Sequence, residues 1–364
     1  MKSLLLLAPL ALAACGGSGP CDAPPDVSGL DFASARQKLK HLSQLWVVDP
    51  PLVKGSGKMV MKSGTVTYEM TTPLFTDYAH KQRTIWIPAG KQINYSEADL
   101  LDFPVGTIIT KTFSFPADER QPDQNVTLVE TRVLMRTASG WLTLPYVWNA
   151  DQTEATIDIV GSLVNPMYTD KNGAARTINH LIPSANQCLL CHEGTTPQQP
   201  IGTKARFLNR TNTYDGQTVN QLDYLVSKGW LAGAPAASAA QLAPPYDDPN
   251  AGTLEQRARG WLDINCAHCH SITGGARTTG FFPTFGETDP FKLGLCKPPV
   301  AAGSATGGRL YDIVPGKPDE SILTFRLEST EPSTMMPPVG RSLVHAESVA
   351  VLKEWIAAMP GSCN

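Results

Sequence analysis

The run TLEQRARGWLDINCAHCH, Thr253–His270, decides how the last third of this chain is read. Leu254, Ala258 and Leu262 recur at i, i+4 and i+8, so they share one face of a helix that leads straight into Cys266-Ala267-His268-Cys269-His270. Two thiols on one helical turn followed at once by a histidine form the C-x-x-C-H pattern of c-type haem attachment. The spacing has a mechanical reason. The thiols add across the two vinyl groups of a haem, and the adjacent histidine is then held beneath the iron as its proximal ligand.

The pattern also stands 78 positions upstream, as Cys188-Leu189-Leu190-Cys191-His192. A zinc site would need further ligands around each cysteine pair, and a redox dithiol would not need the trailing histidine. Two covalent haems c are therefore expected, on Cys188, Cys191 and His192 and on Cys266, Cys269 and His270.

After the second motif the chain returns with Thr334-Met335-Met336-Pro337-Pro338-Val339-Gly340. It then closes on a helix whose Val349, Leu352 and Ile356 share a face, stopped by Pro360-Gly361. This arrangement resembles the class I cytochrome c domain. The resemblance implies that the opening and closing helices cross near the haem edge and that Met336, with Met335 as the adjacent alternative, fills the sixth site of the iron on His270. A thioether there raises the reduction potential relative to a second histidine. No Met or His lies between Glu193 and Asn265, so the first haem's sixth ligand must come from elsewhere. His180 leads the candidates, ahead of Met167, His80 and His268; an open site would instead permit peroxide chemistry.

Working towards the N-terminus, the texture becomes strand-like. Thr65–Met70, Arg83–Pro88, Thr107–Phe115, Val126–Thr137, Trp141–Trp148 and Ala155–Val160 alternate or are rich in β-branched and aromatic residues, with Gly, Pro and Asp between them. The expected fold class is multidomain β + α: an antiparallel sandwich or barrel, then a haem-binding helical region ending in the cytochrome c-like unit. The expected boundaries are a signal peptide over 1–14, a tether over 15–30, a β-rich domain over 31–175 and a first haem-binding segment over 176–235. An Ala/Pro-rich linker over 236–252 and the cytochrome c-like domain over 253–364 follow.

The apolar run Leu4–Ala14 is too short for a permanent membrane helix and fits a signal peptide. Leu12-Ala13-Ala14-Cys15 resembles a bacterial lipobox, which implies acylation of Cys15, a lipid anchor in the cell envelope and, with Gly16 following, the outer membrane facing the periplasm. With haem and acyl groups assigned, Cys21, Cys296 and Cys363 remain. In an oxidising compartment a Cys296–Cys363 disulfide would tie the C-terminus down, although spacing alone does not choose the partners. Charged residues are only 17% of the chain and the net charge is −3, with no Lys/Arg cluster, which argues against nucleic acid as a partner.

Further stretches extend the resemblance along the chain. Thr72-Pro73-Leu74-Phe75-Thr76-Asp77-Tyr78-Ala79, Phe103-Pro104-Val105-Gly106, Val129-Glu130-Thr131-Arg132, Asn186-Gln187-Cys188, Pro200-Ile201-Gly202 and Val314-Pro315-Gly316-Lys317-Pro318 together look like a family of bacterial dihaem c-type cytochrome lipoproteins with a β-rich N-terminal region. The resemblance speaks to architecture; the function expected from the two haems is electron transfer with a redox protein partner in the periplasm or envelope. Two competing functions are a peroxidase-like enzyme working at an open first haem, and an envelope binding module whose Trp86, Trp141, Tyr146 and Trp148 line a recognition site.

Overall fold

The computed structural model describes residues 23–195, 198–300 and 302–363, so the expected signal peptide and the roles given to Cys15 and Cys21 lie outside the described residues. The chain is a mixture of β and α structure organised around one six-stranded antiparallel sheet. Its strands are β1 (Thr65–Tyr68), β2 (His80–Trp86), β3 (Ile108–Pro116), β4 (Val126–Thr137), β5 (Gly140–Trp148) and β6 (Ala155–Ile157), each paired with the next. The end strands β1 and β6 do not pair with each other, so the sheet is an open meander.

Because successive side chains in a strand point to opposite faces, β3 divides its residues cleanly. Ile108 joins Val133, Met135, Leu144 and Tyr146 on one face, which is covered by Val27, Leu42, Leu45 and Ala35 of the N-terminal segment with its helix α1 (Phe32–Lys38). On that face Thr84 pairs with Thr110 at 2.6 Å and Thr112 with Thr131 at 2.8 Å, so the buried hydroxyls satisfy one another across the strands. The other face is apolar at both ends and charged in its middle. Ile85, Ile109 and Leu134 pack at one end against Phe207, Leu208, Leu222 and Leu225, the last two from α3 (Gln221–Ser227). Phe113 and Phe115 pack at the other end against Tyr168, Ile178 and Ile182.

Tyr168 and Ile182 belong to two short ribbons, β7 (Ser162–Val164) with β10 (His180–Ile182) and β8 (Met167–Thr169) with β9 (Ala175–Thr177), and Ile178 lies between β9 and β10. Beyond them lies α2 (Ala185–His192), capped by Ser184, whose hydroxyl accepts from the Gln187 N–H. The stretch over 236–252 has no helix or strand, yet Ala237, Ala240 and Ala243 are buried and the Asn209 amide donates to the carbonyls of Ala237 and Ala240. The segment is thus pinned to the sheet's core.

At the C-terminal end, α4 (Leu254–Leu262), α5 (Ile322–Glu328) and α6 (Ala346–Ala357) share a core of Ala258, Trp261, Leu262, Leu327, Val349, Leu352 and Ile356. Cys296 and Cys363 are joined in a disulfide that ties the C-terminal tail to this unit. Among the described residues no helix is long and apolar enough to cross a membrane.

Two acidic residues hold the C-terminal unit on the sheet. Asp77 is 2% exposed and accepts from the N–H groups of Ser342 and Leu343 and from the Ser342 hydroxyl at 2.7–3.0 Å. Asp263, just past α4, receives Lys204 at 2.6 Å and Arg206 at 2.7 Å. Burial alone would raise its carboxyl, but the two cations hold it below the ordinary value. Asn265 adds a third tie, its side-chain oxygen accepting from the Phe75 N–H at 2.8 Å.

Candidate haem site

The charged middle of the sheet reaches the site through Arg132. Arg83, Lys111 and Arg132 stand directly opposite one another across β2, β3 and β4. Like charges placed this way repel. Arg132 is relieved by Glu130, at 2.5 and 2.8 Å, and Arg83 by a longer 3.5 Å contact with Glu69. Lys111 has no hydrogen bond or salt bridge among the described residues; its ammonium lies 5.0 Å from the centre of the Phe113 ring. Burial, reinforced by Arg132 and Arg83, pushes it down to about 7. Burial would raise Glu130, yet Arg132 and His180 together bring it to about 2.

A cavity of about 960 Å³, counted with its open mouth, is bounded by Cys188, Cys191 and His192 of α2 and by Arg132 of β4. Leu74, Phe75, Ile201, Trp261, Leu327, Val339 and Val349 supply its apolar walls, and His268, Arg341 and His345 its polar ones. Arg341 is spent on shaping the Met loop: its guanidinium donates to the carbonyls of Met336, Leu343, Arg326 and Ser329.

Both motif histidines are set in one tautomer by what they touch. His192 Nδ1 lies 2.7 Å from the Gln199 carbonyl, which can only accept, so Nδ1 carries the proton. His270 Nδ1 lies 3.1 Å from the Thr279 hydroxyl, whose own proton goes to the Ala276 carbonyl, so this Nδ1 donates too. In each ring Nε2 keeps its lone pair and has no hydrogen-bond partner among the described residues. Metal-ligating histidines have this arrangement. Burial depresses both rings to about 4, so they are neutral at pH 7.

The two motifs meet. Cys269 Sγ donates to the Leu190 carbonyl at 3.4 Å, and Arg277 reaches Glu193 at 3.4 Å. One ligand atom each from Cys191, His268 and Cys269 lie within 4.8 Å of one another. The Cys269 thiol holds Cys191 well below its ordinary value, with help from His268 and against the effect of burial. Burial pushes Cys266 up to about 12.

The structure therefore brings together Cys188, Cys191, His192, Cys269 and His268, whereas Cys266, His270 and Met336 do not line the cavity. Met335 is the more buried of the Met pair. His180 is 1% exposed and its Nε2 is held by Glu130 at 2.8 Å; His80 is held by Glu119, and Met167 is 77% exposed. Of the aromatic residues considered for recognition, Trp141, Tyr146 and Trp148 are buried sheet core and Trp86 packs against it. Sequence reasoning missed the cation row, visible only as Lys111 at an inward position between Ile109 and Phe113. It also missed His345, which stacks on Phe75 at 4.1 Å.

No family model, curated protein or solved structure matches the chain. The residues must therefore carry the assignment. Their chemistry suits a haem: two thiols and a neutral imidazole stand on one helical turn, the buried Nδ1 of His268 has no partner, the cation row has fewer anions than charges, and Leu74, Phe75, Trp261 and Val349 give the cavity apolar walls.

Proposed function

We propose that this protein is a dihaem c-type cytochrome lipoprotein, anchored in the cell envelope through Cys15 and facing the periplasm, that passes electrons to and from a redox protein partner. The observation that carries the reading is the shared tautomer of His192 and His270, each the last residue of a C-x-x-C-H motif with Nδ1–H donated and Nε2 left free.

Bound haem would supply the one-electron chemistry. Cys188 and Cys191 would hold the first group covalently and His192 its iron; Cys266, Cys269 and His270 would do the same for the second, with Met336 as its further ligand and residues 253–364 as a cytochrome c-like domain. The chain's own part is to orient and insulate. Gln199 and Thr279 fix the imidazoles, the apolar walls would exclude water, and Arg132, with Lys111 beside it, would supply positive charge for haem carboxylates.

A second reading is favoured by the cluster of Cys191, His268 and Cys269, whose thiols and imidazole suit a zinc ion. Intact mass and a reduced absorption spectrum of the mature protein, made with a c-type maturation system, separate the two. Two covalent haems are expected. A haem-free chain with one bound zinc would replace the cytochrome reading with the metal site. A reduced protein that reacts rapidly with peroxide would move the function from carrier to peroxidase-like enzyme.

A further inference from the structure

We propose that His268 is the second axial ligand to the iron of the haem on Cys188, Cys191 and His192, so that the second motif completes the coordination of the first haem. This rests on the dihaem reading above and adds to it the identity of a ligand and a direct link between the two haems.

His268 occupies one of the two unspecified positions of its motif, where haem attachment asks for no particular side chain. Its ring lines the cavity that holds Cys188, Cys191 and His192, and its Nδ1 is buried with no hydrogen-bond partner. A buried imidazole nitrogen without a partner calls for an explanation, and a metal is one. The ring also lies beside Cys191, one of the thiols that would fix the first haem.

The other histidines are accounted for. The chain has 7, of which His192 and His270 are the motif ligands. His41 contacts Thr156, His80 contacts Glu119 and His180 contacts Glu130, and none of the three lines the cavity. His345 does line it, but with the wrong polarity. The Trp261 indole N–H can only donate, so His345 Nδ1 accepts at 3.3 Å and Nε2 carries the proton towards the Tyr246 hydroxyl at 2.9 Å. Both of its nitrogens are used. No methionine lines the cavity.

The consequence is a six-coordinate first haem with two imidazole ligands, lower in potential than a Met-ligated second haem. His268 and Cys269 are consecutive, so the ligand of one iron and the thioether of the other haem are joined by a single peptide link. Electrons would pass between the haems through that bond path.

The test compares full-length mature wild type with His268→Ala and His268→Met. Both substitutions leave C-x-x-C-H intact. Intact mass gives the haem count, ferric absorption and paramagnetic resonance give the spin state, carbon monoxide reports an open reduced iron, and redox titration gives both potentials. Wild type is expected to carry two low-spin haems that do not bind carbon monoxide. His268→Ala should keep two haems and convert one to high-spin, carbon monoxide-binding iron. His268→Met should restore low spin and raise one potential, leaving the other in place. Two haems that both stay low-spin and unreactive in His268→Ala overturn the ligand assignment alone. A wild type with no covalent haem overturns the dihaem reading and this proposal with it.

Discussion

Replacing Lys111 by Met should make the haem-free protein more stable and the mature protein harder to assemble. Lys111, half-buried as a residue, falls from an ordinary 10.5 to about 7 because its ammonium is desolvated beside Arg132 and Arg83 without an anion of its own. At pH 7 the unfolded chain holds that proton fully and the folded chain about half of it, which by linkage costs the fold roughly 4 kcal/mol. Contact with the Phe113 ring and relaxation around the ammonium reduce this, so a gain of about 2–4 kcal/mol is expected for Met, which keeps the length of the stem. The sign follows from the direction of the shift. A lysine whose folded value is depressed leaves the folded state with fewer protons between about 7 and 10.5, so wild-type stability rises with pH over that window. The advantage of Lys111→Met should therefore shrink, to about 1 kcal/mol near pH 9.5. Urea unfolding of the haem-free chains at pH 7 and pH 9.5 measures both quantities. In the mature protein a haem carboxylate would compensate the charge, so the same substitution should lower haem yield under maturation. A variant that is less stable than wild type at pH 7, or whose advantage grows with pH, would refute the description of Lys111 as a desolvated cation awaiting an anion.

Thr279→Val removes the acceptor that orients His270; covalent haem should be retained while the potential of that haem rises, because a less polarised imidazole donates less to the iron. Spectroelectrochemical titration reads it, and an unmoved potential would detach Thr279 from the iron. Asp77→Ala strips the acceptor from two buried N–H groups and a hydroxyl and should cost about 3–5 kcal/mol, seen as a drop in the urea midpoint. A loss under 1 kcal/mol would mean the C-terminal unit is not held there. Replacing Cys296 and Cys363 together by Ser opens a link across 67 positions and should cost about 2–4 kcal/mol, measured against wild type under non-reducing conditions. Identical stabilities would show that the tail is tied down by other contacts.

What could be read from the residues, and what could not, divides by distance along the chain. Val126–Thr137 stands as written because alternation and β-branching are local, and the neighbouring strands differ from expectation by only a few residues at their ends. The C-x-x-C-H motifs were legible for the same reason: their chemistry fits on one helical turn. The ribbons over 162–182 were not, since three-residue strands are too short to display a period. The Ala-rich stretch over 236–252 carries linker composition, but packing of single small residues against a core leaves no pattern to read. The meeting of Cys191 with His268, and of Asp77 with Ser342, joins positions 77 and 265 apart, and nothing local announces such pairs. Lys111 was the one visible clue to the cation row, an ammonium at an inward strand position, and on its own it reads as a surface residue.

The cavity described above is built from widely separated parts of the chain, from Leu74 to Val349. Order of synthesis then matters. When Cys188-Leu189-Leu190-Cys191-His192 is first made, the floor supplied by Arg132 and the wall supplied by Leu74 and Phe75 already exist, while Trp261, His268, Leu327 and Val349 do not. The first motif would at that stage be an open shelf beside a sheet that still lacks Phe207, Leu208, Leu222 and Leu225. A haem attached during export would be delivered onto that shelf and sealed only when the last hundred residues fold over it, with Asp77 and Asn265 as the latches. The distal side of the first haem would be the last part of the protein to be completed.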